Sequence, residues 1–171
     1  FFPANSSGDD IILHNKKLSL YNLRQQIAKR GKKPNYCLSD FIAPIDSGKK
    51  DWIGGFAVTA GFNVEKIGQD FADNNDDYKS IMIKVLGDRI AEALAEKMHE
   101  KVRTELWGYA KNEGLKNEDL IKEKYSGIRP APGYPSCPDH SEKLALFELL
   151  DIKNNSKLKL TESYAVYPAS S

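Results

Sequence analysis

The clearest periodicity in the chain is an apolar residue at every fourth position of one long segment. The repeat comprises Met82, Leu86, Ile90, Leu94, Met98, Val102 and Leu106, and Val85 and Ala91 widen the stripe. Such spacing indicates an amphipathic α-helix, which we expect over residues 77–107. At 1.5 Å per residue this helix is about 45 Å long, so we predict that it is the long central helix of the fold.

Shorter patterns predict strands and short helices around it. Gly8, Asp9 and Asp10 form a turn before a strand at residues 11–13, and residues 18–21 are either a returning strand or the start of a helix through residue 29. The other predicted elements are strands over residues 36–43, 52–59 and 157–167 and helices over residues 63–73 and 117–124. Helices and short strands in irregular order predict a mixed α+β domain with a small sheet.

A proline-rich segment, RPAPGYPSCPDH at residues 129–140, is the most informative stretch for function. Its four prolines restrict the backbone and remove four N–H donors, while Gly133 can turn freely. The segment is therefore stiff, and its carbonyl groups are expected to remain available as acceptors. Arg129 adds a planar, permanently charged donor that suits a carboxylate, so we expect a small zwitterionic ligand here.

Two other interpretations of this segment remain open. Arg129, Pro132 and Pro135 satisfy R-x-x-P-x-x-P, the pattern of extended ligands that bind aromatic-lined grooves of interaction domains. Alternatively, the segment is a rigid connecting loop. Asp139 and Glu142 form a capping-box pattern after it, so the loop is expected to end at a helix N-terminus that favours anions near His140.

Composition narrows the function classes. The 171 residues are 40% hydrophobic, and 25 Lys and Arg balance 24 Asp and Glu, which gives no general reason to expect nucleic acid or an anionic membrane as partner. No segment approaches the roughly 18 apolar residues of a membrane span. Cys37 and Cys137 are the two cysteines, which fits a reduced, cytoplasmic setting, although a disulfide between them stays open.

Few residues suggest catalysis. Asp88 and Glu92 share a helix face and could bind a cation or orient a basic group, or they belong to a solvated face with Arg89, Glu96 and Lys97. His99-Glu100 begins a zinc-helix pattern that fails because position 103 is arginine. The C-x-x-H spacing of Cys137 and His140 lacks a second ligand pair, so we predict no metal site. No G-x-S-x-G, Walker or dinucleotide glycine pattern occurs in the sequence, so we also predict no catalytic nucleophile.

Residues 125–143, YSGIRPAPGYPSCPDHSEK, closely resemble the signature of the activation domain of cobalamin-dependent methionine synthase. Further similar pieces follow the family's order at residues 2–5 with 8–10, 35–41, 76–78, 88–89 with 91–93, 107–109 and 160–163. The resemblance covers essentially the whole chain.

The family implies a C-shaped α+β domain, with a small, largely antiparallel sheet flanked by helices, that binds S-adenosylmethionine. It serves a cytoplasmic methyltransferase that moves a methyl group from methyltetrahydrofolate through cobalamin to homocysteine. The domain supports reductive methylation of inactive cob(II)alamin held by a neighbouring domain, with an electron from flavodoxin or a related reductase. The metal is the nucleophile, so this chain alone is not expected to turn over. A free-standing relative that reactivates another corrinoid protein is the alternative.

The resemblance also assigns site residues. Arg129 would hold the ligand carboxylate, and the Pro130, Ala131, Pro132, Gly133 and Tyr134 backbone and ring would line the site. Glu92 and Glu123 are similar to the family's acidic residues near the ligand. Asp88 would receive the displaced cobalt-ligating histidine of the cobalamin module, and His140 would face the corrin.

The chain departs from the family pattern in three places. The family also uses an aspartate before the start of this chain and an aromatic pair after its end, so we expect a fragment of the activation domain that lacks both ends. Val64 stands where relatives can carry an acid that supports the displaced histidine, with Glu65 beside it.

Overall fold

Gly8 and Asp9 form the predicted turn before a strand, and they reverse the chain between that strand and a preceding antiparallel strand that the sequence did not predict. The computed structural model describes residues 1–29, 31 and 33–168. Its main sheet is antiparallel, with strand order β3-β2-β1-β4. The strands are β1 (Phe2–Ser7), β2 (Asp10–Leu13), β3 (Leu18–Leu20) and β4 (Trp52–Ile53).

One face of this sheet forms a hydrophobic core. Ile11 and Leu13, two residues apart in β2, project to the same side and are buried, as the pleat of a strand requires. Leu149 packs into the same cluster from a helix. The buried members of the cluster are Ala4, Ile11, Leu13, Leu20, Ile42 and Leu149.

The helices account for most of the remaining regular structure. They are α1 (Val64–Asp73), α2 (Asp77–Lys101), α3 (Asn117–Ile121), α4 (Lys143–Leu149) and α5 (Ile152–Asn155). Short 3-10 helices span Leu38–Phe41, Ile45–Ser47 and His140–Glu142, and the short strands β5 (Lys159–Leu160) and β6 (Val166–Tyr167) follow α5. The predicted α+β class is confirmed.

The predicted long helix is also confirmed. It begins after Asp76, whose side chain accepts a hydrogen bond from the Lys79 backbone N–H at 3.0 Å. The 25 residues of α2 continue into a π-helical turn at Val102–Leu106. Within the described residues, no helix combines the length and the apolar character that crossing a membrane requires.

The apolar stripe of α2 does not form its buried face. Leu86 and Ile90 are exposed by 48% and 52%, whereas Ala91 and Ala95 are almost fully buried. The other buried positions of α2 are Ser80, Gly87 and His99. Small and polar residues therefore form the buried face of α2. At Gly87 the absence of a side chain lets α1 approach closely, since a Cβ there would lie 3.0 Å from a methyl group of Val64.

Several shorter predictions are wrong or too long. Residues 36–43 form no strand; a 3-10 helix spans Leu38–Phe41 instead, because the Asp40 carboxylate accepts from the Cys37 N–H and turns the chain. Residues 18–21 return as β3 and no helix follows over 22–29. The strands expected over 52–59 and 157–167 shrink to β4 and to β5 with β6.

The described residues divide into two compact units. Unit 1 comprises Phe1–Phe56 with Pro130–Ala165, and unit 2 comprises Ala57–Arg129 with the chain from Val166 onwards. The sheet and the proline-rich segment therefore belong to unit 1. Helices α1 to α3 and Arg129 belong to unit 2.

Candidate functional site

Arg129 is the central residue of a cluster of charged side chains in unit 2. Its side chain is only 14% exposed, and its Nη2 donates to Glu92 Oε1 at 3.0 Å and to Glu96 Oε1 at 2.6 Å. Both glutamates lie on α2, one turn apart. Burial alone would lower the pKa of Arg129, but its hydrogen bonds to Glu96 and Glu92 outweigh burial and raise that pKa, so the guanidinium stays charged.

A second ion pair joins Arg103, on the π-helical turn, to Glu113. Arg103 is fully buried, and its Nε and Nη2 donate to the Glu113 carboxylate at 2.7 to 3.0 Å. Tyr125 covers the pair, with its ring centroid 4.3 Å from the Arg103 guanidinium carbon. The same ring meets His99 edge-on at 4.8 Å between centroids. A π-helical turn often marks a functional site, because its extra residue redirects side chains.

Four buried atoms in this cluster have no hydrogen-bond partner within the described residues. They are Glu96 Oε2, His99 Nδ1, Arg103 Nη1 and Arg129 Nε. Burial, followed by the nearby charges of Arg103 and Arg129, lowers the pKa of His99 to about 4. His99 is therefore neutral at pH 7, and the positive charge of the cluster resides on the two arginines.

The proline-rich segment forms a compact turn in unit 1. Tyr134 N–H donates to Ala131 O at 2.9 Å, Cys137 N–H to Tyr134 O at 2.8 Å and Gly133 N–H to Cys137 O at 2.7 Å. Ser136 O accepts from Leu38 N–H. The expectation that the carbonyl groups of the segment stay available is therefore wrong for these four carbonyls.

This turn also weakens the R-x-x-P-x-x-P interpretation. Gly133 has a φ of 115°, which no polyproline II helix contains. Arg129, Pro132 and Pro135 consequently do not lie along one extended segment of the kind that aromatic-lined grooves bind.

His140 lies against the turn. Its ring occupies the space that a Cβ at Gly133 would need, and its Nδ1 lies 2.8 Å from Lys143 Nζ. Asp139 caps the following 3-10 helix by accepting from Ser141 N–H at 2.8 Å. Glu142 does not complete the expected capping box, because its carboxylate accepts instead from the Tyr21 N–H at 3.1 Å.

The structure thus brings together Arg129 with Glu92 and, separately, His140 with Gly133. Glu123 is exposed, lies two residues after the end of α3 and has a φ of 51°. Its charge contributes, after burial and Glu96, to raising the pKa of Tyr125. Asp88 lies one turn before Glu92 on α2 and is exposed.

Sequence reasoning missed part of the cluster. Glu96 belonged to a solvated-face interpretation, yet it pairs with Arg129. The sequence around His99 and Arg103 indicates only a zinc pattern that fails, yet both residues are buried. The available signal was the spacing of Glu92, Glu96, His99 and Arg103, which places them on one face of a helix.

Other chemistry is scarce in the part of the chain that the structure describes. Cys37 and Cys137 are buried free thiols, and burial raises the pKa of Cys137 to about 11. Among these residues no group of three or more His, Cys, Asp and Glu side chains could hold a metal ion. A cavity of about 500 Å³ near Phe147, Asp151 and Leu158 in unit 1 has none of the predicted site residues in its lining.

In a mixed α and β fold, a largely buried arginine that is held by two acids of a long helix is a candidate binding site for an anionic group. The chain matches, over residues 1–171, the family described as vitamin B12 dependent methionine synthase, activation domain. It belongs to this family, which confirms the resemblance found in residues 125–143.

A solved structure gives a second comparison. The chain is similar to one described as the crystal structure of the MetH reactivation domain bound to AdoHcy, with 51% sequence identity and a TM-score of 0.91. The match covers 98% of this chain and 53% of that chain. This chain therefore spans about half the length of the structure that it matches.

Proposed function

We propose that this chain binds S-adenosylmethionine and its product S-adenosylhomocysteine (AdoHcy) as part of a methionine synthase reactivation domain. The observation that carries the proposal is the Arg129 guanidinium, which is charged, largely buried and held by Glu92 and Glu96. A guanidinium in this setting suits the carboxylate of an amino-acid ligand. The 51% identical structure described as bound to AdoHcy supports this ligand class.

The remaining site residues follow the family pattern. By the family pattern, Arg129 binds the carboxylate, and Pro130 to Tyr134 are the further residues assigned to the ligand. Glu92 and Glu123 supply negative charge for the ligand's ammonium and sulfonium groups. The unpartnered buried Nε of Arg129 fits this role, because a carboxylate can accept from both Nε and Nη2 of one guanidinium edge.

The proposed role is reactivation. S-adenosylmethionine bound to this chain would be the methyl donor for inactive cob(II)alamin, which the cobalamin-binding domain of the same cytoplasmic enzyme would hold. Flavodoxin or a related reductase would supply the electron, and AdoHcy would be the product. Asp88 and His140 face the cobalamin module, and this chain contributes binding and orientation without a nucleophile of its own.

Calorimetric titration of AdoHcy tests the ligand assignment. Arg129→Ala removes a charged hydrogen bond, which is worth about 1.5–3 kcal/mol, so we expect affinity to fall roughly 10- to 100-fold. The matched control is Arg89→Ala, which removes an exposed arginine of α2 and is expected to leave the affinity unchanged. Equal affinity for AdoHcy in Arg129→Ala and the parent chain would contradict the assignment.

A further inference from the structure

We infer that Glu96 is a stand-in for the ligand's carboxylate: it holds Arg129 in the ligand-free chain, and ligand binding exchanges one carboxylate for the other. The inference rests on the proposed function and adds to it a residue that selects for carboxylate-bearing ligands. Neither the sequence pattern nor the family signature assigned a role in binding to Glu96.

The first support is the geometry of the ion pair. Glu96 Oε1 lies 2.6 Å from Arg129 Nη2, closer than Glu92 Oε1 at 3.0 Å, and both glutamates use this same nitrogen. Glu96 is also the less exposed of the two, at 30% against 46%. Glu96 is therefore the principal carboxylate on Arg129.

The second support is that this internal pair is incomplete on both sides. Arginine and carboxylate groups favour two parallel hydrogen bonds, but Glu96 Oε2 and Arg129 Nε are both buried without a partner among the residues that the structure describes. A buried polar atom that lacks a partner is unfavourable. The ion pair thus holds Arg129 in place but leaves Arg129 Nε and Glu96 Oε2 without hydrogen-bond partners.

A ligand carboxylate would remove this deficit. It can accept from Nε and Nη2 together, but Nη2 is already occupied, so at least one internal carboxylate must leave. Glu96 is partly exposed, and water can solvate its carboxylate after the exchange. Glu92, which also contacts Nη2, remains to face the ligand's positive groups.

The exchange predicts selectivity for the carboxylate. A ligand that presents one competes with Glu96, and removal of the Glu96 charge makes that competition easier. A ligand without a carboxylate, such as 5′-methylthioadenosine, shares the nucleoside but leaves the Arg129 pair intact. Its affinity should not depend on residue 96.

The test compares both ligands on Glu96→Gln by calorimetry or ligand-observed NMR. Because a partly buried ion pair contributes on the order of 1 kcal/mol, we expect Glu96→Gln to bind AdoHcy about three- to tenfold more tightly and 5′-methylthioadenosine unchanged. Glu100→Gln is the matched control, since Glu100 pairs with Lys97 on the same helix at 35% exposure. Glu96→Asp keeps the charge on a shorter side chain and should give a smaller gain.

Three outcomes overturn the inference. Unchanged or weaker AdoHcy binding by Glu96→Gln, when the parent chain binds, removes the role of Glu96 and leaves the proposed function standing. An equal gain for both ligands shows a general loosening of the site instead of carboxylate exchange. If the parent chain binds no AdoHcy, the proposed function falls and this inference falls with it.

Discussion

At the scale of single residues, Gly133 connects the proline-rich turn to His140. Its φ of 115° is strained for any residue with a Cβ. The His140 ring also occupies the position where that Cβ would lie. Two separate features therefore favour glycine at this position: the positive φ of the backbone and the space that the His140 ring occupies.

We predict that Gly133→Ala lowers the free energy of unfolding by about 1–2 kcal/mol, because the backbone strain remains while the exposed His140 ring moves aside. Chemical denaturation measures the loss. NMR of the His140 ring is expected to show the displacement, since its contact with Lys143 is disturbed.

Gly61→Ala separates the two effects. Gly61 has a φ of 109°, and a Cβ there meets nothing within 4 Å. We expect a similar loss of stability with unchanged His140 signals. If the His140 resonances of Gly133→Ala also match those of the parent chain, the described contact between the ring and the turn is wrong.

The residue scale also shows what the sequence could reveal of the site. Arg129 and Glu92 were both predicted to contact the ligand, and the fold pairs them although 37 positions separate them. The contact of Arg103 with Glu113 and the contact of Tyr125 with His99 were not predicted. Helix periodicity gives the spacing along one face, but the partner of that face comes from a distant segment that no local pattern specifies.

At the scale of elements, α2 shows why periodicity identifies a helix more reliably than it identifies the buried face. The four-residue repeat correctly predicted the helix, yet Leu86 and Ile90 are exposed and Ala91 and Ala95 are buried. Burial depends on what packs against a face, and small residues permit closer packing than large ones. The four-residue repeat identifies the apolar stripe of α2 but does not indicate that this stripe is exposed.

His99, on the buried face of α2, makes stability depend on pH. Burial lowers its pKa to about 4 from an ordinary 6.5, so between these values the unfolded chain binds a proton that the folded chain does not. The free energy of unfolding therefore includes the full effect of a neutral His99 above pH 6.5, and it decreases as the pH falls. We predict a loss of about 3 kcal/mol between pH 6.5 and pH 4.

Urea denaturation of the parent chain and His99→Gln across this range measures that loss as a difference. The Asp40 carboxylate is a separate acid-sensitive group: hydrogen bonds from Arg24 hold its pKa below the ordinary 3.8, so its contribution disappears at lower pH than that of His99. A difference between the two chains that stays constant from pH 6.5 to pH 4 would rule out the assignment to His99.

At the scale of the whole molecule, the sequence predicted the fold class, the long helix and the strand after Gly8, because each has a strong local pattern. It failed at residues 36–43, where one hydrogen bond from the Cys37 N–H to the Asp40 carboxylate favours a 3-10 helix over a strand. It also missed β1, whose pairing with β2 and β4 is a tertiary feature. Local chemistry therefore predicts elements, and long-range contacts decide their ends and partners.

Ligand binding is expected to stabilise the molecule as a whole, because the proposed carboxylate site exists only when Arg129 meets α2 in the folded chain. A ligand that binds only the folded state adds about 2.7 kcal/mol at one hundred times its Kd. For a chain of this length, we predict that AdoHcy raises Tm by roughly 5–10 °C. Arg89→Ala should retain the increase, whereas Arg129→Ala, with its 10- to 100-fold weaker affinity, should lose about half of it or more at the same AdoHcy concentration. An increase of equal size in Arg129→Ala would mean that AdoHcy binds elsewhere on the folded chain, because no guanidinium remains at residue 129 to hold its carboxylate.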